Sequence, residues 1–272
     1  MKFTIIFAGI IIVLLLSMSH MKIVENIQNG LIFYPSKEIY SSPEQAGIKS
    51  EEVFIKTEDG ETLHGYYLPS PHGFTSNVII YLHGNAENVS AWYEAPVLIQ
   101  RYVPVNALIV DYRGYGKSTG KPTIEGTIID AQAMYKFLIK RGFKGEDISL
   151  YGRSIGGAIA LELAIRETVR SVVVQSSFTS LRDIAKEIYP FLPDVLIENN
   201  HWHSKDLIKK ITYPILISHG DRDQIVSISH SYKLFEAANE PKKLIILKGA
   251  SHNDVSSYFT DEYFNVLKEL FL

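Results

Sequence analysis

The chain has 272 residues, of which 46% are hydrophobic and 21% charged, with a formal net charge of −3 and no cysteine. A chain of this size and polarity buries a core without disulfides or a metal, and the lack of any long basic run argues against nucleic acid as a partner. The absence of cysteine excludes a thiol nucleophile, a thiolate metal site and a disulfide framework.

The run from Phe3 to Ser19 carries no charge at all. A core helix of a soluble domain keeps a polar face, so residues 1–21 read as a membrane anchor or a signal segment. As a helix, Phe3 to Met21 spans roughly 28 Å, enough for a ~30 Å hydrocarbon core. Ser17 and Ser19 make a weak cleavage site. The expectation is an uncleaved anchor that places the protein at a membrane, with secretion or periplasmic export after cleavage as the alternative. Residues 22–50 read as a lead-in, irregular from Asn26 to Ser50 and carrying Pro35 and Pro43.

From residue 51 the pattern changes. Glu52 to Thr57 alternates polar and apolar, Asp59-Gly60 turns, and Thr62 to Leu68 reads as a second strand, together a hairpin. Short continuous apolar runs follow at Asn77 to Leu82, Ala107 to Val110, Ile148 to Tyr151, Ser171 to Val174, Ile215 to Ser218 and Leu244 to Leu247. Runs of this kind fit strands of a parallel sheet covered on both faces. Helical spacing occupies Glu125 to Lys140, Ile155 to Ile165, Ser229 to Ala238 and Asp254 to Leu272. Strand and helix alternate, so residues 51–272 are expected to form an α/β domain, a mostly parallel central sheet with helices on both faces. The stretch 178–213, rich in aromatics and broken by Pro190 and Pro193, reads as a small cap.

Gly152-Arg153-Ser154-Ile155-Gly156 fits G-x-S-x-G between an apolar strand and a helix rich in Ala, Leu and Ile. That context is what a nucleophile elbow requires: the glycines permit a sharp turn, and the helix N-terminus favours developing negative charge. A serine hydroxyl needs a base. In such a fold the acid and the base follow the serine, each in a loop after a strand end. His252 is the candidate base and Asp223 the candidate acid, with Asp221 as its rival. An oxyanion hole needs backbone N–H donors; these are expected from Ile155 and from the loop Gly84-Asn85-Ala86, with Asn85 favoured over Ala86. His83 is expected to be structural.

The motifs at His83 to Asn85, Asp111 to Ser118, Gly152 to Gly157, His219 to Val226 and Gly249 to Asp254 together resemble the α/β hydrolases. The similarity is to the branch that holds the Bem-type proteins and the eukaryotic protein depalmitoylases, over about Glu51 to Leu272. It implies the α/β-hydrolase fold and assigns the triad to Ser154, Asp223 and His252. It further implies hydrolysis of a carboxylic ester or thioester through an acyl-enzyme, with a small-molecule or acylated substrate. A peptidase of the same fold and a non-catalytic binding protein are the alternatives. No cofactor and no metal are implied, and a monomer is expected. The eukaryotic depalmitoylases anchor through lipidated cysteines, which this chain lacks.

Other signals point elsewhere less well. Gly116-Lys117-Ser118 looks like the end of a phosphate-binding loop, but Asp111 stands where its first glycine belongs. His201 and His203 have no third metal ligand in the sequence around them. Tyr189, Phe191 and Trp202 either line an acyl pocket or pack the cap down.

Overall fold

A computed structural model describes residues 22–193, Ile197 and residues 202–272. The apolar run Phe3 to Ser19 and His201 therefore lie outside the described residues. Among the described residues no helix is long and apolar enough to cross a membrane.

Residues 22–32 form a helix, α1, where the sequence suggested irregular chain from Asn26. Val24, Gln28 and Leu31 share its inward face at helical spacing, while Ile23 and Ile27 are exposed. So short and sparse an apolar stripe is a weak signal in sequence. A two-residue strand, β1 (Tyr34–Pro35), then pairs in parallel with β5 (Ala86–Glu87).

The main sheet has eight strands. In chain order they are β2 (Glu51–Lys56), β3 (Thr62–Leu68), β4 (Val78–Leu82), β6 (Asn106–Val110), β7 (Ile148–Arg153), β8 (Ser171–Gln175), β9 (Ile215–Gly220) and β10 (Lys242–Leu247). Their spatial order is β10-β9-β8-β7-β4-β6-β3-β2. The hairpin pair β2–β3 and the pair β3–β6 are antiparallel, and every other neighbour is parallel.

The continuous apolar runs follow from burial on both faces. Successive side chains of a strand point to opposite sides. Accordingly Val78, Ile80 and Leu82 of β4 enter one core while Ile79 and Tyr81 enter the other. In β8, Val172 and Val174 go one way and Val173 the other. The first core is covered by α4 (Ile124–Lys140), α5 (Ile155–Ala164) and α8 (Ser229–Ala237); the second by α3 (Glu94–Tyr102) and α9 (Asp261–Phe271).

Two further features depart from the sequence reading or go beyond it. The segment after β5 folds as α2 (Val89–Trp92) and α3, started by Asn88, whose side chain accepts from Ser90 N–H. The C-terminal helix is interrupted: a 3-10 turn covers Val255–Tyr258, and α9 starts only after Thr260, whose hydroxyl caps Tyr263 N–H. The cap contains α6 (Leu181–Ile188) and α7 (Ser204–Leu207).

Candidate active site

Ser154 stands between β7 and α5 with φ 56° and ψ −120°. A non-glycine residue in this region costs about 1–3 kcal/mol and persists only where its surroundings hold it there. Here its N–H is held by the Gln175 carbonyl at 2.9 Å and its carbonyl accepts from Gly157 N–H at 3.0 Å. The flanking glycines are needed for close approach. A Cβ at Gly152 would strike the Gly156 backbone, and one at Gly156 would strike the carbonyls of Leu82 and His83. The start of α5 thus packs directly on the end of β4. Gly84 lies beside the nucleophile candidate: a Cβ there would be 3.8 Å from Ser154 Cβ.

The loops after β9 and β10 bring Asp223 and His252 together. His252 Nδ1 donates to Asp223 Oδ2 at 2.7 Å, and the Asp223 side chain is fully buried. The other oxygen, Oδ1, accepts from the N–H groups of Ile225 and Val226 at 2.9 and 2.8 Å. His219 Nε2 lies 3.1 Å from Oδ2. Burial alone would push this carboxyl up, but the bonds from His219 and His252 hold it well below the usual carboxylate range. Asp221 takes a different partner, accepting from Gly249 N–H at 2.6 Å as a brace between the two loops. His219 was not singled out from the sequence, although it opens the His-Gly-Asp motif. Its Nδ1 meets Ser231 Oγ at 2.7 Å, which fixes the ring that supports Asp223.

The loop after β4 is held from several sides. The Asn85 carbonyl accepts from Tyr34 N–H at 2.9 Å and from the Tyr115 hydroxyl at 2.7 Å. The Asn85 side chain donates to the Ile32 carbonyl at 3.0 Å. His83 is buried, donates from Nδ1 to the Gly84 carbonyl at 2.7 Å, and is pushed down to about 4 by burial, so it stays neutral. Its Nε2 is 3.6 Å from Asp111 Oδ1, beyond hydrogen-bond range. Asp111 Oδ1 accepts from Val89 N–H at 2.6 Å, and burial pushes this carboxyl up to about 8. The Asp111 to Ser118 motif therefore serves the architecture of this loop, through Asp111 and Tyr115.

Ser154, Ile155, Asn85, Ala86 and His252 all line one cavity of about 300 Å³. Its remaining wall is mostly apolar and comes from α1, Phe178 after β8, α6, the cap residues Tyr189, Leu192 and Ile197, and the loop after β9. The cap aromatics separate. Tyr189 lines the cavity. Phe191 is exposed, and Trp202 is buried against Phe33 and Phe178. His203 precedes α7 and is not among the cavity residues.

A family model of the α/β-hydrolase fold matches residues 77–198. An uncharacterized protein of Mycobacterium tuberculosis is 33% identical to this chain over 84% of it and 81% of the relative. YfhR of Escherichia coli, also uncharacterized, is 32% identical over 91% of this chain and 87% of its own length. The bem46 protein of Schizosaccharomyces pombe is 29% identical over 86% and 80%. Among solved structures, an esterase of Pyrococcus furiosus superposes with a TM-score of 0.72 at 20% identity, covering 88% of this chain and 97% of that one. Strand order, elbow geometry and these likenesses agree: the chain belongs to the α/β-hydrolase family.

Proposed function

We propose that the protein is a serine hydrolase that cleaves a carboxylic ester or thioester of a small-molecule or acylated substrate. The observation that carries this reading is the 2.7 Å hydrogen bond between His252 and the buried Asp223 carboxyl, at the wall of the cavity that also exposes Ser154. With Nδ1 engaged by Asp223, Nε2 is the nitrogen of His252 left to take a proton. Ser154 Oγ attacks the acyl carbon as its proton passes to Nε2. The N–H groups of Ile155 and Asn85 hold the oxyanion. The bond to the leaving alkoxide or thiolate breaks, and that group departs with the proton from His252. Water then attacks the acyl-enzyme, again losing its proton to Nε2. The carboxylic acid leaves and the serine regains its hydrogen. This scheme calls for no cofactor and no metal.

The test is a fluorophosphonate probe, which phosphonylates an activated serine. Labelling on Ser154, abolished in Ser154→Ala together with ester turnover, is the expected result; Ser154→Ala should lower kcat by roughly 10⁴- to 10⁶-fold. Undiminished labelling or turnover in that variant refutes the assignment.

A further inference from the structure

Leu31 and Ile32, in the last turn of α1, line the cavity that contains Ser154 and His252. Ile184 and Ile188 of α6 line it as well, and no Asp, Glu, Lys or Arg does so among the described residues. Such a wall disfavours a charged group, whose desolvation it cannot repay, and favours a plain hydrocarbon chain.

The same turn of α1 is tied to the candidate oxyanion loop. The Ile32 carbonyl receives the Asn85 side chain at 3.0 Å. Two residues on, Tyr34 N–H donates to the Asn85 carbonyl at 2.9 Å, and the Tyr34 hydroxyl returns to the Leu31 carbonyl at 3.0 Å. Phe33, between them, is buried edge-on against Trp202 with ring centroids 6.0 Å apart. The chain from Leu31 to Tyr34 is thus anchored to the loop after β4 and to the returning arm of the cap. Its apolar side chains form part of the cavity wall at the same time.

We infer that α1 is a substrate-binding element: an uncharged acyl chain packs against Leu31 and Ile32, and that contact sets the chain-length selectivity of the site. This rests on the ester-hydrolase reading above and names its substrate class. A methylene fills about as much space as a water molecule, ~30 Å³. The cavity of about 300 Å³ therefore has room for an acyl chain of several carbons.

Two measurements on the full chain test the inference separately from the hydrolase reading. The first is calorimetric binding of 1-alkanols of four to twelve carbons to the Ser154→Ala protein. Affinity should rise about fourfold per methylene and level off once the cavity is full. Leu31→Trp in that background should remove the rise for the longer members. An affinity independent of chain length, or a slope that Leu31→Trp leaves intact, overturns the inference. The second measurement uses the protein with Ser154 in place and 4-nitrophenyl esters of the same range. The ratio of kcat/KM for the decanoate to that for the acetate should fall at least about tenfold in Leu31→Trp, the loss of roughly two buried methylenes. In case the tryptophan does not fold, Leu31→Ala enlarges the cavity and should move the optimum to longer chains. A length profile unchanged in Leu31→Ala overturns the inference. Alkanol binding as expected with no turnover of any ester supports the role of α1 and refutes the hydrolase reading instead.

Discussion

Arg153, the residue before Ser154, donates from Nη2 to the backbone carbonyl of His252 at 2.6 Å. Its guanidinium carbon also sits 4.9 Å from the Trp92 ring centroid, and Trp92 Nε1 donates to the Ala86 carbonyl at 2.8 Å. One buried cation therefore braces the loop of His252 against the elbow and, through Trp92, the loop of Asn85. A hydrogen bond from a charged donor is worth about 1.5–3 kcal/mol. If that energy positions His252, Arg153→Met should lower kcat by about 10- to 100-fold, with a smaller change in KM for a short-chain ester. Arg153→Lys, which keeps the charge but loses the planar fork, should recover only part of it. Kinetics run beside thermal unfolding decide the matter: a lower Tm with kcat intact would make Arg153 purely structural.

Asp223 and Asp221 should separate cleanly. Asp223→Asn should cut kcat by roughly 10⁴-fold, the loss expected when the orienting acid is neutralised. Asp221→Ala removes the brace to Gly249 and should cost about 1 kcal/mol or less of stability, with little effect on kcat. A reversed order in the two kcat values would move the acid to Asp221.

The depressed pKa of Asp223 also has a stability consequence. Its ionised form is favoured by folding, so it contributes stability above the unfolded value of ~3.9, and that contribution is lost as pH falls toward the folded value. The acid limb of the Tm profile should be shallower in Asp223→Asn than in the wild type. Identical acid limbs would contradict this linkage.

Asp111 predicts the opposite slope. Its folded pKa of about 8 lies above the unfolded ~3.9, so the folded state keeps a proton that the unfolded chain releases. Stability from this group is full below about 4 and is lost as pH rises toward about 8. Asp111→Asn keeps an acceptor for Val89 N–H and has no proton to lose. It should flatten the fall of Tm over that window and fold at least as stably as the wild type at pH 8. An unchanged slope would show that other groups set it.

The uncharged run from Phe3 to Ser19 motivates a further proposal, that it holds the active site at a bilayer. Deleting residues 1–21 should release the protein from membranes and preserve kcat/KM on a water-soluble ester, because α1 is retained. Deleting residues 1–33 removes Leu31, Ile32 and Phe33 and should reduce stability or activity even in solution. Fractionation and ester assays check both deletions. Wild-type protein in the soluble fraction would count against the tether, and full activity after the longer deletion against the role of α1.

What was legible in the sequence was local. The alternation of apolar runs and helical spacing announces a sheet covered on both faces, because each strand must present hydrophobic side chains in both directions. The glycines around Ser154 announce the elbow, because a Cβ at either would strike backbone that the turn brings close. Distances between loops are another matter. Asp221 and Asp223 share one turn and no spacing rule separates them; the fold brings Asp223 to His252 and Asp221 to Gly249. Residues 22–32 carry too narrow an apolar stripe to stand out. Their helix is placed by partners far along the chain, Asn85 at its last turn and Trp202 beyond it. Arg153 and the α1 wall became visible only in three dimensions, since each acts on groups distant in sequence; His219 acts on Asp223 only four residues on, but it is the folded turn that brings its ring to the carboxylate. Covalent neighbours constrain the chain's local geometry, but only burial and hydrogen bonding between distant segments decide which loops meet.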